Sequence, residues 1–212
     1  MRSSSWLLSR RSATLRWIFG LALCTCYVSA SAAQEAVVKL DPANSTVNFT
    51  LGATMHTVHG TFKLKGGEIR VDPSTGKATG SIVVDATSGN TDNSSRDHKM
   101  HKEILESDKY PEIVFSPVQL TPQPGHSLRE TLTQKGTTQV AAAGVFRLHG
   151  EDHSVTLELT VQNEGNSGLE ISSSFSIPYI KWGLKSPDTF ILRVSDTVDL
   201  EIHAAAQSNQ RN

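Results

Sequence analysis

Two pairs of histidines, His56 with His59 and His98 with His101, are each spaced three residues apart. In a helix that spacing puts both imidazoles on one face, where they can approach a single ion. On a strand it puts them on opposite faces. The segment around His98 and His101 reads as helical and the segment around His56 and His59 as extended, so only the first pair has the geometry for shared ligation. Neither pair has a third ligand at a short fixed spacing, and the pattern HExxH is absent. Asp72, Asp85 and Asp97 are the carboxylates available for acid–base work. Asp72, however, belongs to an Asp-Pro turn, and Asp97 to the first turn of the helical segment. There is no GxSxG elbow and no phosphate-cradling glycine loop. These patterns point away from an enzyme and call for no metal and no cofactor. With 20 basic and 21 acidic residues, the chain also lacks a strong positive field for nucleic acid.

The elements that would position any site are mostly strands. Val47, Phe49 and Leu51 alternate with Asn48 and Thr50, and Phe62 and Leu64 with Thr61, Lys63 and Lys65. Val155, Leu157, Leu159 and Val161 alternate with Thr156, Glu158, Thr160 and Gln162. Val198, Leu200 and Ile202 alternate with Asp199, Glu201 and His203. This period of two marks half-buried strands. Further strands fit residues 67–72, 79–86, 111–119, 142–150, 169–177 and 189–194, separated by turn sequences such as Asp72-Pro73-Ser74-Thr75-Gly76. The short connections imply antiparallel neighbours. One apolar face per strand suits either two stacked sheets or one sheet closed on itself, and periodicity does not choose between them.

One polar helix interrupts this all-β pattern. Asn93, Ser94 or Ser95 can cap it, Met100, Ile104 and Leu105 form a narrow apolar stripe, and Pro111 ends the segment before a new strand. A helix over residues 95–106 with so thin a stripe is expected to lie across one open end of a β structure and plug it with Met100 and Ile104. Arg96 and Asp97 could hold it to the rim.

The N-terminus has the composition of an export signal. Arg2, Arg10, Arg11 and Arg16 precede an apolar run of about fourteen residues, Trp17 to Ala30, and Ala30-Ser31-Ala32 supplies small residues for cleavage. The run is shorter than the about twenty residues of a membrane-spanning helix. The expected organisation is a cleaved signal over 1–33, one β domain over 34–206 and a disordered polar tail over 207–212. A twin-arginine route through Arg10-Arg11 lacks the following apolar pair, and Leu23 before Cys24 is unlike a lipoprotein box. Cys24 and Cys26 both fall inside the signal, so the mature chain has no thiol chemistry. The reading is a periplasmic or secreted protein with no transmembrane span after cleavage.

Several ordered motifs carry a resemblance. STVNFTLGATMHTVHGTFKLKGGEIRVDP (residues 45–73) is similar to the opening pattern of the YceI-like family, with its HxVxGxF and GxIxxDP elements. SIVVDATSGNT followed by RDHKMHKEILESDKYPEIVF, then GVFRLHGEDHSVTLELTV, then IPYIKWGLKSPDTFILRVSDTVDLEIHA, resemble the later elements of the same family. The resemblance covers about residues 37–206. Where many members have a histidine before the apolar position held by Met100, this chain has Lys99, with His98 displaced by one. The stretch RETLTQKGTTQ (129–139) corresponds to variable family sequence.

The resemblance implies a closed antiparallel lipocalin-like β-barrel of about eight strands with one or two short helices and an apolar channel. Exported bacterial members hold polyisoprenoids or other long-chain amphiphiles. For this chain it implies a long-chain lipid or isoprenoid ligand, with a homodimer left open. The expected lining is Phe49, Leu51, Phe62, Ile82, Val84 and Met100, continued by Ile104, Phe115, Phe146, Phe175, Ile177, Trp182 and Phe190. Asn48, His59, Arg96, Asp97 and Tyr179 are expected at the mouth. Ordinary packed core is the competing reading for each apolar member of this set.

Overall fold

A computed structural model describes residues 35–210 except 55, 166–167 and 188–192. The expected signal over 1–33, and Phe190 with most of the expected strand 189–194, lie outside the described residues. Eight strands follow in order: β1 (Ala36–Gly52), β2 (Thr57–Val71), β3 (Ala78–Asn90), β4 (Glu112–Pro122), β5 (Gly136–Leu148), β6 (Glu151–Asn163), β7 (Leu169–Ile177) and β8 (Val198–Gln210). Each pairs antiparallel with the next, and β8 pairs back onto β1, closing the barrel. The choice between sandwich and barrel is thereby decided. Every one of these strands has a partner on both sides, though β3 meets β4 only over Ile82–Asp85 and β6 meets β7 only over Thr160–Asn163.

Alternation decides which side chains face inward. Val47 and Phe49 of β1 are buried while Asn48 and Thr50 lie on the outside, and the same rhythm places Val140, Ala142, Phe146 and Leu148 of β5 inside. Each such aliphatic or aromatic side chain removed from water contributes about 1.5–3 kcal/mol. The inner faces form two adjoining apolar clusters. One centres on Val38, Val71, Val140 and Leu169, the other on Phe115, Phe146, Leu157 and Ile177.

Three boundaries differ from expectation. Residues 60–66 and 67–72 form one strand, β2, because a register shift between Leu64 and Gly66 absorbs the break in alternation without ending the pairing. β5 begins at Gly136 rather than 142, so the end of the stretch read as variable loop belongs to the barrel. The polar tail is not free from 207 onward: Gln207, Ser208 and Asn209 pair with Lys39, Val38 and Val37, and Gln210 with Ala36. Strand pairing uses backbone groups and needs no apolar side chain there. Within β1, Pro42 cannot donate to the ladder and the strand bulges between Asp41 and Ser45. Asp41 spans the irregularity, accepting from Ala43 N at 3.0 Å and from Asn44 Nδ2 at 2.8 Å.

Two short helical segments sit at opposite ends. α1 (Ser94–Lys99) joins β3 to β4 and runs directly into a π-helical turn, Met100–Ile104, in which Leu105 N donates to Met100 O at 2.8 Å. Asn93 caps α1 by accepting from Arg96 N at 3.0 Å. The predicted helix 95–106 is therefore present, shorter at its end and part π-helical. α2 (Leu128–Thr133) joins β4 to β5 at the other end and was not expected. Its start carries a capping box: Glu130 N donates to Ser127 Oγ, and Ser127 N donates to the Glu130 carboxylate.

Candidate functional site

The barrel is hollow. Its inner faces surround a cavity of about 680 Å³ that runs from α2 to α1. At the α2 end most of the lining is buried, Val71, Val140, Val161, Leu169 and Ala204 from the strands and Leu128 and Thr131 from the helix, with Leu132 half-buried. Asn163, itself buried, donates its side-chain amide to Thr131 O at 3.1 Å and holds α2 in the barrel. At the α1 end the lining includes exposed His56, Asn93 and Ser95 with half-buried Arg96 and Lys99. Among the described residues, then, the cavity is blind under α2 and opens beside α1.

Most of the expected lining is in place. Phe49, Leu51, Phe62, Ile82, Val84, Met100, Ile104, Phe115, Phe146, Phe175 and Ile177 all face the cavity. Phe49 and Phe62 meet with ring centroids 5.2 Å apart, and Phe146 meets Phe175 edge-on at 6.2 Å. Met100 and Ile104 project from the π-helical turn, so the helix near one end does contribute apolar surface to the interior.

Trp182 does not line the cavity. It stacks on His153, 4.0 Å between centroids and nearly parallel, and leans on Phe146 at 5.7 Å. Its two-ring side chain supports the wall because it lies in the turn after β7, outside the strand alternation. Phe190 lies outside the described residues.

The polar set divides. Arg96 and Tyr179 line the cavity. Tyr179 is buried, and its hydroxyl donates to Ser195 O at 2.8 Å, fastening the segment after β7 to the segment before β8. Asn48 and His59 lie on the outer surface and do not reach the mouth. On β1 and β2 the neighbours Phe49 and Val58 take the inward positions, and His59 meets Thr50 outside at 3.2 Å. Asp97 does not line the cavity either. It accepts from Thr91 N at 2.9 Å and Thr91 Oγ1 at 2.5 Å, while Arg96 Nε and Nη2 donate to Thr91 Oγ1 and Thr91 O, each at 2.7 Å. Arg96 and Asp97 of α1 thus close on one threonine just past β3, and this holds the helix to the rim.

The histidine pairs separate as well. His101 is occupied on both ring nitrogens, by Ser107 Oγ at 3.1 Å and Gly89 O at 2.9 Å, and His98 is exposed. Among the described residues no three of His, Cys, Asp and Glu come together as metal ligands would.

Sequence reasoning missed His56, Lys99, Ser95 and Asn93 at the mouth, and Leu128, Thr131 and Leu132 at the floor. The mouth residues precede β2 or belong to α1, where strand alternation gives no direction. The floor had a readable signal in Ser127-x-x-Glu130 followed by Leu132 at helical spacing from Leu128.

Comparison with known proteins converges on one family. The family model described as the YceI-like domain matches residues 38–206. Among solved structures, Burkholderia cenocepacia BcnA is similar with a TM-score of 0.63 and 18% identity, over 80% of this chain and 99% of that one. A polyisoprenoid binding domain from Saccharophagus degradans implicated in plant cell wall breakdown is similar with a TM-score of 0.61 and 18% identity, over 81% and 98%. A Campylobacter jejuni YceI protein gives 0.51 and 18% identity, over 75% and 88%. At that identity the likeness to these structures is one of fold. No curated protein matches the chain significantly.

Proposed function

The chain belongs to the YceI-like family, and from that premise we propose that it is an exported binding protein that holds a long-chain amphiphile, of polyisoprenoid or fatty-acyl type, inside its barrel for transport or storage. The observation that carries this reading is the blind, apolar cavity of about 680 Å³ whose described ionisable lining residues, His56, Arg96, Lys99 and Tyr179, lie at the α1 end. A solid core would have argued for a purely structural β domain. An apolar chain entering such a space gains about 0.8 kcal/mol for each methylene it buries, without any directed polar contact. The one-ended mouth gives the amphiphile a direction, with its tail toward α2 and its head beside α1. The polyisoprenoid binding named for the Saccharophagus degradans domain supports the choice of ligand class. The charged n-region and short apolar run at residues 2–30 support export.

The test is native mass spectrometry and organic extraction of the protein purified from the cell envelope of its own source. A stoichiometric amphiphile is expected. Protein that is empty under both methods, and that takes up no long-chain lipid when offered one, would overturn the reading.

A further inference from the structure

Charge inside the mouth has one sign. Among the described residues lining the cavity, the ionisable side chains are His56, Arg96, Lys99 and Tyr179, and none is Asp or Glu. Arg96 is engaged twice within the protein: its Nε and Nη2 both donate to Thr91, whose N–H and hydroxyl donate in turn to Asp97. Lys99 is engaged less. It is half-buried, its ammonium donates to Pro187 O at 3.1 Å, and no described carboxylate lies within ion-pair distance of it. An ammonium carries three N–H donors, and the one carbonyl uses one of them. The remaining donors stand with the charge beside Pro187 at the half-buried rim of the apolar cavity. Ser95, four residues earlier on the same helical face, brings an exposed hydroxyl to the same rim.

Resting on the proposed amphiphile binding, we propose that the ligand's head group is an oxyanion, a phosphate or a carboxylate, and that Lys99 is the residue that binds it. A tail drawn into the barrel leaves its head at the α1 end, and of the Lys and Arg side chains lining that end Lys99 is the one held, among the described residues, through a single backbone carbonyl. An anion arriving with the tail completes the donors of Lys99. A neutral head leaves them as they are.

The experiment uses delipidated protein and two pairs of probes with matched tails: geranylgeranyl monophosphate against geranylgeraniol, and oleate against oleyl alcohol. Charge-assisted hydrogen bonds at a partly desolvated site lead us to expect at least one anion to bind about tenfold tighter than its own alcohol. Lys99→Met should bring that ratio close to one, while Lys99→Arg should keep it, an outcome that a merely structural strap to Pro187 would not produce. Preference for the phosphate pair alone or the oleate pair alone identifies the head. Equal affinity of anion and alcohol in the unaltered protein, or a ratio that survives Lys99→Met, overturns the assignment and leaves tail binding intact. Failure of all four probes to bind removes the amphiphile reading and this one together.

Discussion

His101 Nε2 lies 2.9 Å from the carbonyl oxygen of Gly89, and because a carbonyl only accepts, that ring nitrogen carries a proton. The other nitrogen meets the hydroxyl of Ser107, which is 3% exposed. One imidazole therefore ties the end of β3, the π-helical turn and the return toward β4 into a single unit. Gly89 allows the close approach: a β-carbon there would come 2.7 Å from Met100 Cε and 2.6 Å from Phe62 Cε1.

Replacing that imidazole should loosen the helix over the mouth. His101→Ala removes two hydrogen bonds and leaves the Gly89 carbonyl and the buried Ser107 hydroxyl without this partner, a loss expected to cost about 1–3 kcal/mol. Chemical denaturation should report that loss. Faster hydrogen exchange confined to residues 94–107, and faster release of a bound lipid, should accompany it. Unchanged exchange in this segment would show that other contacts hold it.

Filling the cavity should abolish binding while keeping the barrel. Ala142 lines the cavity on β5, between Leu120 of β4 and Leu157 of β6 in the register. Ala142→Phe sends a ring into the space a tail would use, at an overpacking cost of about 1–3 kcal/mol. Native mass spectrometry is expected to show the variant folded and without lipid. A full complement of ligand in this variant would mean that the tail lies elsewhere.

The floor of the cavity depends on a helix of only six residues, too short to persist by itself. Ser127→Ala deletes the side-chain half of its capping box and should cost about 1 kcal/mol. A lower melting temperature is expected, with exchange raised over Leu128–Thr133 and left as before in α1. Exchange rising equally at both ends would contradict the independence of the two plugs.

The inner face of the barrel was legible because alternation is a local property. Phe49 and Phe62 each sit in a run whose neighbours state which way they point. Closure was not legible in that way. It depends on pairing between β1 and β8, joining Ala36 to Gln210, and no window of sequence spans that distance. It came instead from the resemblance. The mouth was the hardest part. Asn48 and His59 are polar and near the right end of their strands, yet alternation sends both outward. His56, which does reach the mouth, precedes the strand in which alternation begins. Lys99 stood out in the sequence only as a departure from the family pattern, and its significance comes from its place at the cavity mouth, with no carboxylate among the described residues paired to it.

Acid should weaken the fold through its turn-building aspartates. Asp72 is held below the ordinary aspartate value of 3.8, chiefly by the hydroxyl of Thr75 at 2.8 Å and then by the backbone N–H of Ser74 at 2.8 Å. Asp41 is lowered chiefly by the side-chain amide of Asn44, and Asp85 chiefly by the hydroxyl of Thr87. A carboxyl whose folded pKa lies below its unfolded one binds its proton less readily in the native state, so protons favour unfolding. The contribution of these groups is fully present above the unfolded value and is lost as pH falls through the folded values. The melting temperature should therefore show no pH dependence from them between neutral pH and that range, then decline below 3.8. Thr75→Val removes the largest cause at Asp72. It should lower the melting temperature at neutral pH and make the acid decline shallower, because the carboxyl then titrates closer to its unfolded value. A variant that melts in parallel with the original protein at every pH would show that the Asp72–Thr75 contact contributes nothing to the acid sensitivity.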